Sequence, residues 1–357
     1  MPQRAPQATP QATPPAAPSA PPPARPQAQP APAPAAPTAP RPPVQNPAPA
    51  TPPAPTAAPA PTPSNIHRLD DFRSQRRETR DGNRTIIQEP GRTIVRDGDR
   101  TIIRHNEMER FRAVAPNART ERRGNDTITV FQRPGGVQVF TETDASGRLL
   151  RRYRRDAGGR EIVIIDNRDR GPRARDFFVQ LPPPVIRIPR ERYILEADRA
   201  DEALIYDTLL APPVERLARG YSLDEIRYSP DVRARMPRID LDTITFDTGA
   251  WDVTPDQARR LAPIAAAINR AVARNPAEVF LVEGHTDAVG SDIDNLSLSD
   301  RRAESVAVVL SEMFRVPPEN LVTQGYGEQQ LKIATDGPER RNRRVTVRRI
   351  TPLLAGN

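Results

Sequence analysis

The densest group of residues that could carry out chemistry lies between Gly284 and Arg302. His285 and Asp287 stand close to several serines, and histidine, aspartate and serine are the residue types of a hydrolytic triad. The chain contains no Gly-x-Ser-x-Gly elbow, however, that would expose a serine nucleophile. We therefore predict no catalytic residue in this stretch.

Asp287, Asp292, Asp294 and Asp300 crowd the same stretch. Carboxylates are ligands for calcium, but the spacing of these four does not match an EF-hand loop. The chain has no cysteine, and its three histidines are far apart, which argues against a zinc or iron–sulfur centre. We expect a solvated acidic loop, no metal site and no cofactor.

The elements that position these residues are predicted from the alternation of apolar residues over 239–350. Thr254 and Pro255 suit the start of a helix that runs to Asn275, and a second helix is predicted over Leu298–Phe314. The predicted strands are Ile239–Phe246, Glu278–Glu283, Asn320–Tyr326 and Arg344–Ile350. This order predicts an α+β sandwich with its helices on one face.

Four short motifs occur in order in this region: Phe246–Gly249, Gly284–Asp287, Gly325–Glu328 and Asn342–Val345. With them, residues 239–352 resemble the OmpA-like C-terminal domain, a peptidoglycan-binding module of cell-envelope proteins. The resemblance implies a βαβαββ sandwich, peptidoglycan as the partner and no enzymatic activity. It covers under a third of the chain.

The resemblance also implies roles for individual residues. In the family the ligand is the diaminopimelate of the wall's stem peptide, which carries an ammonium and a carboxylate on one carbon. Asp287 would pair with the ammonium, and Arg302, in the first turns of the second helix, would hold the carboxylate with its planar guanidinium. The alternative for these two residues is a structural salt bridge. Supporting ligand contacts are implied for Thr286, Asn295, Arg343 and Gly249.

The rest of the chain divides by composition. Residues 1–64 contain 25 prolines and 19 alanines, which predicts a disordered spacer. Residues 65–173 hold a period-eight repeat that begins at Arg84, Arg92 and Arg100. The turn pairs between its units are Pro90-Gly91, which suits a type II turn, and Asp97-Gly98, which suits a type I′ turn. This pattern predicts an antiparallel β-meander module, with about seven strands in all. Residues 174–238 are predicted to be an α-rich linker module.

The net charge of +8 is concentrated in residues 65–180, which contain 26 basic and 18 acidic residues. Only one of the chain's 53 basic residues is lysine, a bias typical of a GC-rich genome. The alternative function is an Arg-rich β-module that binds a polyanion such as lipopolysaccharide or nucleic acid, with the C-terminal domain as scaffold. A wall hydrolase is a weaker hypothesis. The main hypothesis remains that residues 239–352 bind peptidoglycan. Under it we expect no nucleic-acid partner, and the oligomeric state stays open.

The location follows from the ligand that the resemblance implies. Peptidoglycan predicts the periplasm or outer membrane of a Gram-negative bacterium, with an outer-membrane association. The residues after Met1 contain no apolar stretch typical of a secretion signal, and taken alone this predicts the cytoplasm. The upstream reading frame would decide between the two expectations.

Overall fold

The computed structural model describes residues 68–115, 117–168 and 177–355. All of these residues belong to one compact unit, which spans residues 63–357. The predicted disordered spacer at 1–64 lies outside the described residues. Within the described residues, no helix is both long enough and apolar enough to cross a membrane.

A short helix, α1 (Leu69–Arg73), leads into an antiparallel meander of four strands. These strands are β1 (Arg77–Asp81), β2 (Arg84–Glu89), β3 (Arg92–Asp97) and β4 (Arg100–His105). Each unit of the period-eight repeat is one strand and its turn, as predicted. Ile87, Ile94 and Ile103, one from each unit, are buried and pack against Leu296 of the C-terminal part.

Two-residue turns join the repeat strands. Pro90 and Gly91 connect β2 to β3, and the φ angle of Gly91, 72°, fits the predicted type II turn. The register of β3 and β4 places Gly98 and Asp99 at the centre of the next turn. Of these two, only Gly98 has a positive φ, whereas a type I′ turn requires it at both positions. The prediction of a type I′ turn was therefore wrong.

Helix α2 (Met108–Val114) connects the first sheet to a second antiparallel meander. Its five strands are β5 (Arg119–Arg123), β6 (Asp126–Gln132), β7 (Gln138–Thr143), β8 (Leu149–Arg155) and β9 (Glu161–Asp166). The two meanders therefore contain β1 and β5 in addition to the strands that the sequence predicts. Every residue of β1 and β5 is exposed, so neither strand shows the apolar alternation from which a strand is predicted.

The third sheet is mixed, with the strand order β10-β11-β14-β12-β13. Its strands are β10 (Ile194–Glu196), β11 (Arg238–Asp240), β12 (Phe280–Gly284), β13 (Leu321–Gly325) and β14 (Val345–Arg349). The helices of this part are α3 (Arg190–Tyr193), α4 (Glu202–Leu210), α5 (Leu223–Tyr228), α6 (Pro230–Arg233), α7 (Pro255–Arg260), α8 (Ala262–Arg274) and α9 (Asp292–Glu312). From β11 onward the order is βαβαββ, which confirms the predicted fold.

Several element bounds differ from the predicted ones. The first strand of the domain is only β11, because the chain turns away after Asp240. The predicted first helix is divided at Leu261 into α7 and α8, since Pro263 has no N–H to continue the helical hydrogen bonds of α7. The second helix, α9, begins earlier than predicted, with Ser291 as its N-cap.

The region at 174–238, predicted as a linker module, contributes to the C-terminal sheet and its core. β10 pairs in parallel with β11, and Ile205 and Leu209 of α4 are buried in the same apolar cluster as α8. The division of 65–352 into three modules stays a prediction, because all of these residues lie in one compact unit.

Helix α9 crosses the ends of β12 and β13 with its backbone in direct contact with theirs. A Cβ atom on Gly284 would lie 1.8 Å from the carbonyl oxygen of Ser299, and one on Gly325 would lie 2.3 Å from the backbone nitrogen of Asp300. Only glycine, which has no Cβ, permits this approach. The approach brings Arg302 of α9 next to the loop that follows β12.

Glu283, which precedes this contact, is an acid buried among basic residues. Its carboxylate accepts hydrogen bonds from Arg348 at 3.3 Å and from the Thr346 hydroxyl at 2.7 Å, and it lies 3.2 Å from Nε of Arg233. Burial raises the pKa of Glu283, but the charges of Arg348 and Arg233 outweigh burial and lower that pKa to about 2.

Gly284→Ala is expected to lower the free energy of unfolding by about 3 kcal/mol or more, because the added Cβ overlaps the α9 backbone. Gly337→Ala is the control, since its Cβ would lie 3.6 Å from the Thr335 hydroxyl, and its change is expected to stay within about 0.5 kcal/mol. Urea unfolding of both variants measures the difference. Equal stability of the two variants would contradict the close approach.

Glu283→Gln tests the buried ion pairs through pH. The pKa of Glu283 falls from its ordinary 4.5 to about 2 on folding, so the charged form stabilises the folded state. That contribution is fully present above pH 4.5 and is lost as the pH falls through about 2. The variant should therefore be about 3 kcal/mol less stable at pH 7 and approach the parent protein near pH 2. The control is Glu312→Gln at an exposed position, for which we expect a change in the free energy of unfolding within about 0.5 kcal/mol at pH 7.

Candidate functional site

Asp287 lies in the loop after β12 and forms an ion pair with Arg343. Oδ2 of Asp287 is 2.5 Å from Nη1 of Arg343. The strand register explains the pair, because Gly284 at the end of β12 lies opposite Val345 at the start of β14. Asp287 is 7% exposed. The salt bridge that the sequence suggested as an alternative thus involves Arg343 rather than Arg302.

Arg302 lies in the middle of α9 rather than in its first turns, and it is 1% exposed. Its Nε donates to the carbonyl oxygen of Ala250 at 3.0 Å, and its Nη2 donates to that of Asp247 at 3.1 Å. Nη1 is buried and has no hydrogen-bond partner among the residues that the structure describes. One donor of this guanidinium is therefore unsatisfied, which is costly for a buried charged group.

Asp287, Arg302 and Arg343 form one electrostatic cluster. Burial lowers the pKa of Arg302 to about 9; the positive charge of Arg343 lowers it too, and the negative charge of Asp287 raises it. The cluster contains two cations and one anion. An additional carboxylate beside Arg302 would be stabilised there.

The supporting residues lie around this cluster. The amide of Asn295 donates to Glu328 at 2.7 Å, and the backbone N–H of Thr286 donates to the carbonyl oxygen of Gly327 at 3.0 Å. The hydroxyl of Thr286 is buried, and no described residue is its hydrogen-bond partner. Gly249 has a φ of 69° and belongs to the turn whose carbonyl groups bind Arg302. Contact of any of these residues with a ligand remains a prediction.

Helix α1 covers the turn at 247–251, an arrangement that the sequence did not predict. The backbone N–H of Leu69 donates to the carbonyl oxygen of Gly249 at 2.8 Å. Phe72 is fully buried, with its ring centroid 5.7 Å from that of Trp251, and both pack with Leu298 of α9. The sequence signal for this contact is the apolar pair Leu69 and Phe72, three residues apart in an otherwise charged segment.

The expectation of a solvated acidic loop was wrong for three of the four aspartates, because Asp287, Asp294 and Asp300 are buried, whereas Asp292 is exposed. Asp294 and Asp300 lie in α9 and are buried. Asp294 accepts from Arg73 at 2.6 Å and from Arg76 at 2.9 Å. Burial raises the pKa of Asp300, but the charges of His105 and Arg92 hold it well below its ordinary value. These carboxylates bind arginines of α1, of the segment before β1 and of β3, and local spacing does not reveal such long-range pairing.

His285 is a buried residue in this structure. It is 1% exposed, and its ring lies 5.7 Å from the ring of Tyr326. Burial and the charge of Arg344 lower its pKa well below 6.5, so the ring is neutral at pH 7. The hydroxyl of Ser299 donates to the carbonyl oxygen of Leu296, and in the described part of the chain neither ring nitrogen of His285 has a hydrogen-bond partner. This geometry gives no support to a hydrolytic triad.

The sequence of residues 245–344 matches the OmpA family. Outer membrane porin F of Pseudomonas fluorescens is 35% identical over 114 residues, which are 31% of this chain and 33% of the porin. The putative lipoprotein YfiB of Escherichia coli K12 is 31% identical over 113 residues, which are 31% of this chain and 68% of the lipoprotein. The chain therefore spans only a part of each relative's length, about a third in the case of porin F.

Two solved structures resemble the same part of the chain. The OmpA-like domain of FopA1 from Francisella tularensis has 20% identity and a TM-score of 0.27, over 31% of this chain and 69% of that one. The peptidoglycan-associated lipoprotein from Burkholderia pseudomallei has 21% identity and a TM-score of 0.26, over 30% of this chain and 86% of that one.

Phe72→Ala tests the contact between α1 and the turn at 247–251. Removing the buried ring should lower the free energy of unfolding by about 3–5 kcal/mol. Amide hydrogen exchange at 247–251 should accelerate, because α1 no longer holds the turn. Met313→Ala is the control, since Met313 is 52% exposed, and its effect should be within about 0.5 kcal/mol. Unchanged exchange at 247–251 in Phe72→Ala would show that α1 does not fix the turn.

Proposed function

Because the chain belongs to the OmpA family, we propose that residues 239–352 bind peptidoglycan without a covalent bond and so tether the cell envelope to the wall. At the level of the family, the match supports a cell-envelope domain that binds peptidoglycan. The finer proposal is that the ligand is the diaminopimelate of the stem peptide. We further propose that the protein acts in the periplasm, in association with the outer membrane, and is not an enzyme.

The charge balance around Asp287 is the observation that supports diaminopimelate as the ligand. Within the described ranges, Nη1 of Arg302 has no hydrogen-bond partner, and the cluster with Arg343 holds one more positive than negative charge. The ion pair with Arg343 uses Oδ2 of Asp287, so Oδ1 can accept from an ammonium. A ligand with an ammonium and a carboxylate on one carbon would satisfy both groups. A lysine-type stem peptide has no such carboxylate and would leave Arg302 unsatisfied.

Access to Arg302 requires a movement of the turn at 247–250, because its side chain is buried beneath carbonyl groups of that turn. Thr286, Asn295 and Gly249 would line the opened cleft. Helix α1 holds the same turn closed through Leu69 and Phe72. Ligand binding would therefore compete with the contact between α1 and the turn.

The alternative function, polyanion binding by an Arg-rich surface, has less support. Several arginines of the β-meanders are paired with carboxylates inside the unit, and those pairs are Arg76–Glu89, Arg92–Asp300, Arg110–Glu304 and Arg133–Glu319. Guanidiniums in such pairs are not available to a polyanion. Binding of lipopolysaccharide or nucleic acid stays a prediction.

Co-sedimentation of the full chain with insoluble diaminopimelate-type peptidoglycan tests the proposal. The parent protein should pellet, and free diaminopimelate should release it. Asp287→Asn and Arg302→Gln should each weaken binding by about tenfold or more, because each removes a charge-assisted hydrogen bond. Lysine-type peptidoglycan should bind more weakly by a similar factor.

The matched controls are Asp256→Asn and Arg341→Gln, an exposed acid and an exposed arginine of the same domain. Both should pellet like the parent protein, and circular dichroism checks that all four variants are folded. Failure of the parent protein to pellet would refute the function. Equal pelleting of Asp287→Asn and the parent protein would refute the assigned cleft.

A further inference from the structure

A cavity lies between the two β-meanders and α5, apart from the proposed peptidoglycan cleft. Its lining includes neither Asp287 nor Arg302. Its volume is about 710 Å³. This size is within the range of roughly 300–1,000 Å³ in which small molecules bind to proteins. Strands of both meanders form its walls, so the cavity exists only because the two sheets face each other.

One wall is a sheet face rich in threonine. The register places Thr129 opposite Thr120 on one side and Thr141 on the other, and Thr127 opposite Thr143. Because side chains on a strand alternate between faces, these five hydroxyl-bearing residues share a single face. Further along the same face, Phe131 and Val139 pack against α2. The apolar end of the face is thus covered, and the threonine end lines the cavity.

Among the described residues, the hydroxyls of Thr120, Thr129, Thr141 and Thr143 make long contacts. The hydroxyl oxygens of Thr120 and Thr129 are 3.4 Å apart, and the hydroxyl of Thr143 is 3.5 Å from the carbonyl oxygen of Thr127. The contact from Arg152 to the Thr141 hydroxyl is also 3.4 Å. Hydrogen bonds between oxygens are normally 2.5–3.0 Å long, roughly, so these hydroxyls retain capacity for a ligand.

The charges of the cavity are unbalanced. Seven arginines and four carboxylates line it. Three of the carboxylates are engaged in ion pairs, which are Glu89 with Arg76, Glu107 with Arg152 and Arg227, and Asp224 with Arg148. The fourth, Asp144, accepts from the backbone N–H groups of its own turn.

In the described part of the chain, three guanidiniums of the cavity remain available for an anion, and they belong to Arg104, Arg112 and Arg122. Arg104 donates to the hydroxyl of Ser146 at 2.7 Å, and Arg122 is exposed on β5, opposite Thr127. Among the described residues, no carboxylate lies within ion-pair distance of either side chain. Burial raises the pKa of Asp144, whereas hydrogen bonds from Ser146 and Arg148 and the charge of Arg104 lower it. Asp144 thus offsets part of the charge of Arg104, and Arg104 and Arg122 together bring a net positive charge to a wall of hydroxyl groups.

We propose that this cavity binds an anionic saccharide, that is, a sugar unit that carries a carboxylate or a phosphate. The threonine hydroxyls match the hydroxyls of a sugar ring, and the guanidiniums of Arg104 and Arg122 match an anionic substituent. A neutral sugar would leave the guanidiniums without a counter-charge. A small inorganic anion would leave the hydroxyl-rich wall without a partner and would fill little of the volume.

Isothermal titration calorimetry of the full chain at low ionic strength tests this proposal with D-glucuronate, D-glucose 6-phosphate, D-glucose and inorganic phosphate. At least one anionic sugar should bind about tenfold or more tightly than both glucose and phosphate. The comparison of glucuronate with glucose 6-phosphate identifies the preferred anionic group. The proposal is wrong if neither anionic sugar binds more tightly than glucose, or if phosphate alone binds as tightly.

Matched variants locate the site. Arg104→Gln and Thr127→Val should each weaken binding of the preferred sugar, the former by about tenfold. Arg80→Gln, an exposed arginine on β1 outside the cavity, is the control and should bind like the parent protein. Asp287→Asn should also bind the sugar as tightly as the parent protein does. That result would show that this site is distinct from the proposed wall-binding cleft. Equal losses in Arg104→Gln and Arg80→Gln would place the binding elsewhere.

Discussion

The contact between the backbone of α9 and the ends of β12 and β13 is the constraint on which the candidate site depends. Gly284 and Gly325 permit this contact, since any Cβ atom there would overlap the helix backbone. The contact fixes the distance between α9 and the sheet. Arg302 thereby comes to lie near the loop of Asp287, and the pairing of β12 with β14 adds Arg343.

The arginines of this protein serve largely as internal partners. Glu283 and Asp300 are buried acids and Glu107 is a half-buried one, and each is stabilised as a carboxylate by arginine or histidine side chains around it. Removing one member of such a group leaves an uncompensated buried charge, which is costly even where the intact pair contributes little net stability. The basic composition of the β-meanders therefore reflects, in part, how they attach to the acidic positions of α9.

Helix α1 and the first meander make the C-terminal domain part of a larger unit. Phe72 packs on Trp251, and Arg73 and Arg76 pair with Asp294 near the start of α9. The same turn that α1 contacts also supplies the carbonyl groups that hold Arg302. Wall binding, if it requires that turn to open, would be coupled energetically to the N-terminal sheets.

The sequence by itself determined the βαβαββ order, the strand-and-turn repeat and the motif residues Asp287, Arg302 and Arg343. These features depend on local periodicity, on turn residues and on ordered motifs, and all three can be identified from the sequence. The tertiary structure alone decided that Asp287 pairs with Arg343, that Asp294 and Asp300 are buried, and that threonines of three strands share one cavity wall. These features depend on contacts between residues far apart in sequence, and a residue's charge or polarity does not specify which distant partner satisfies it.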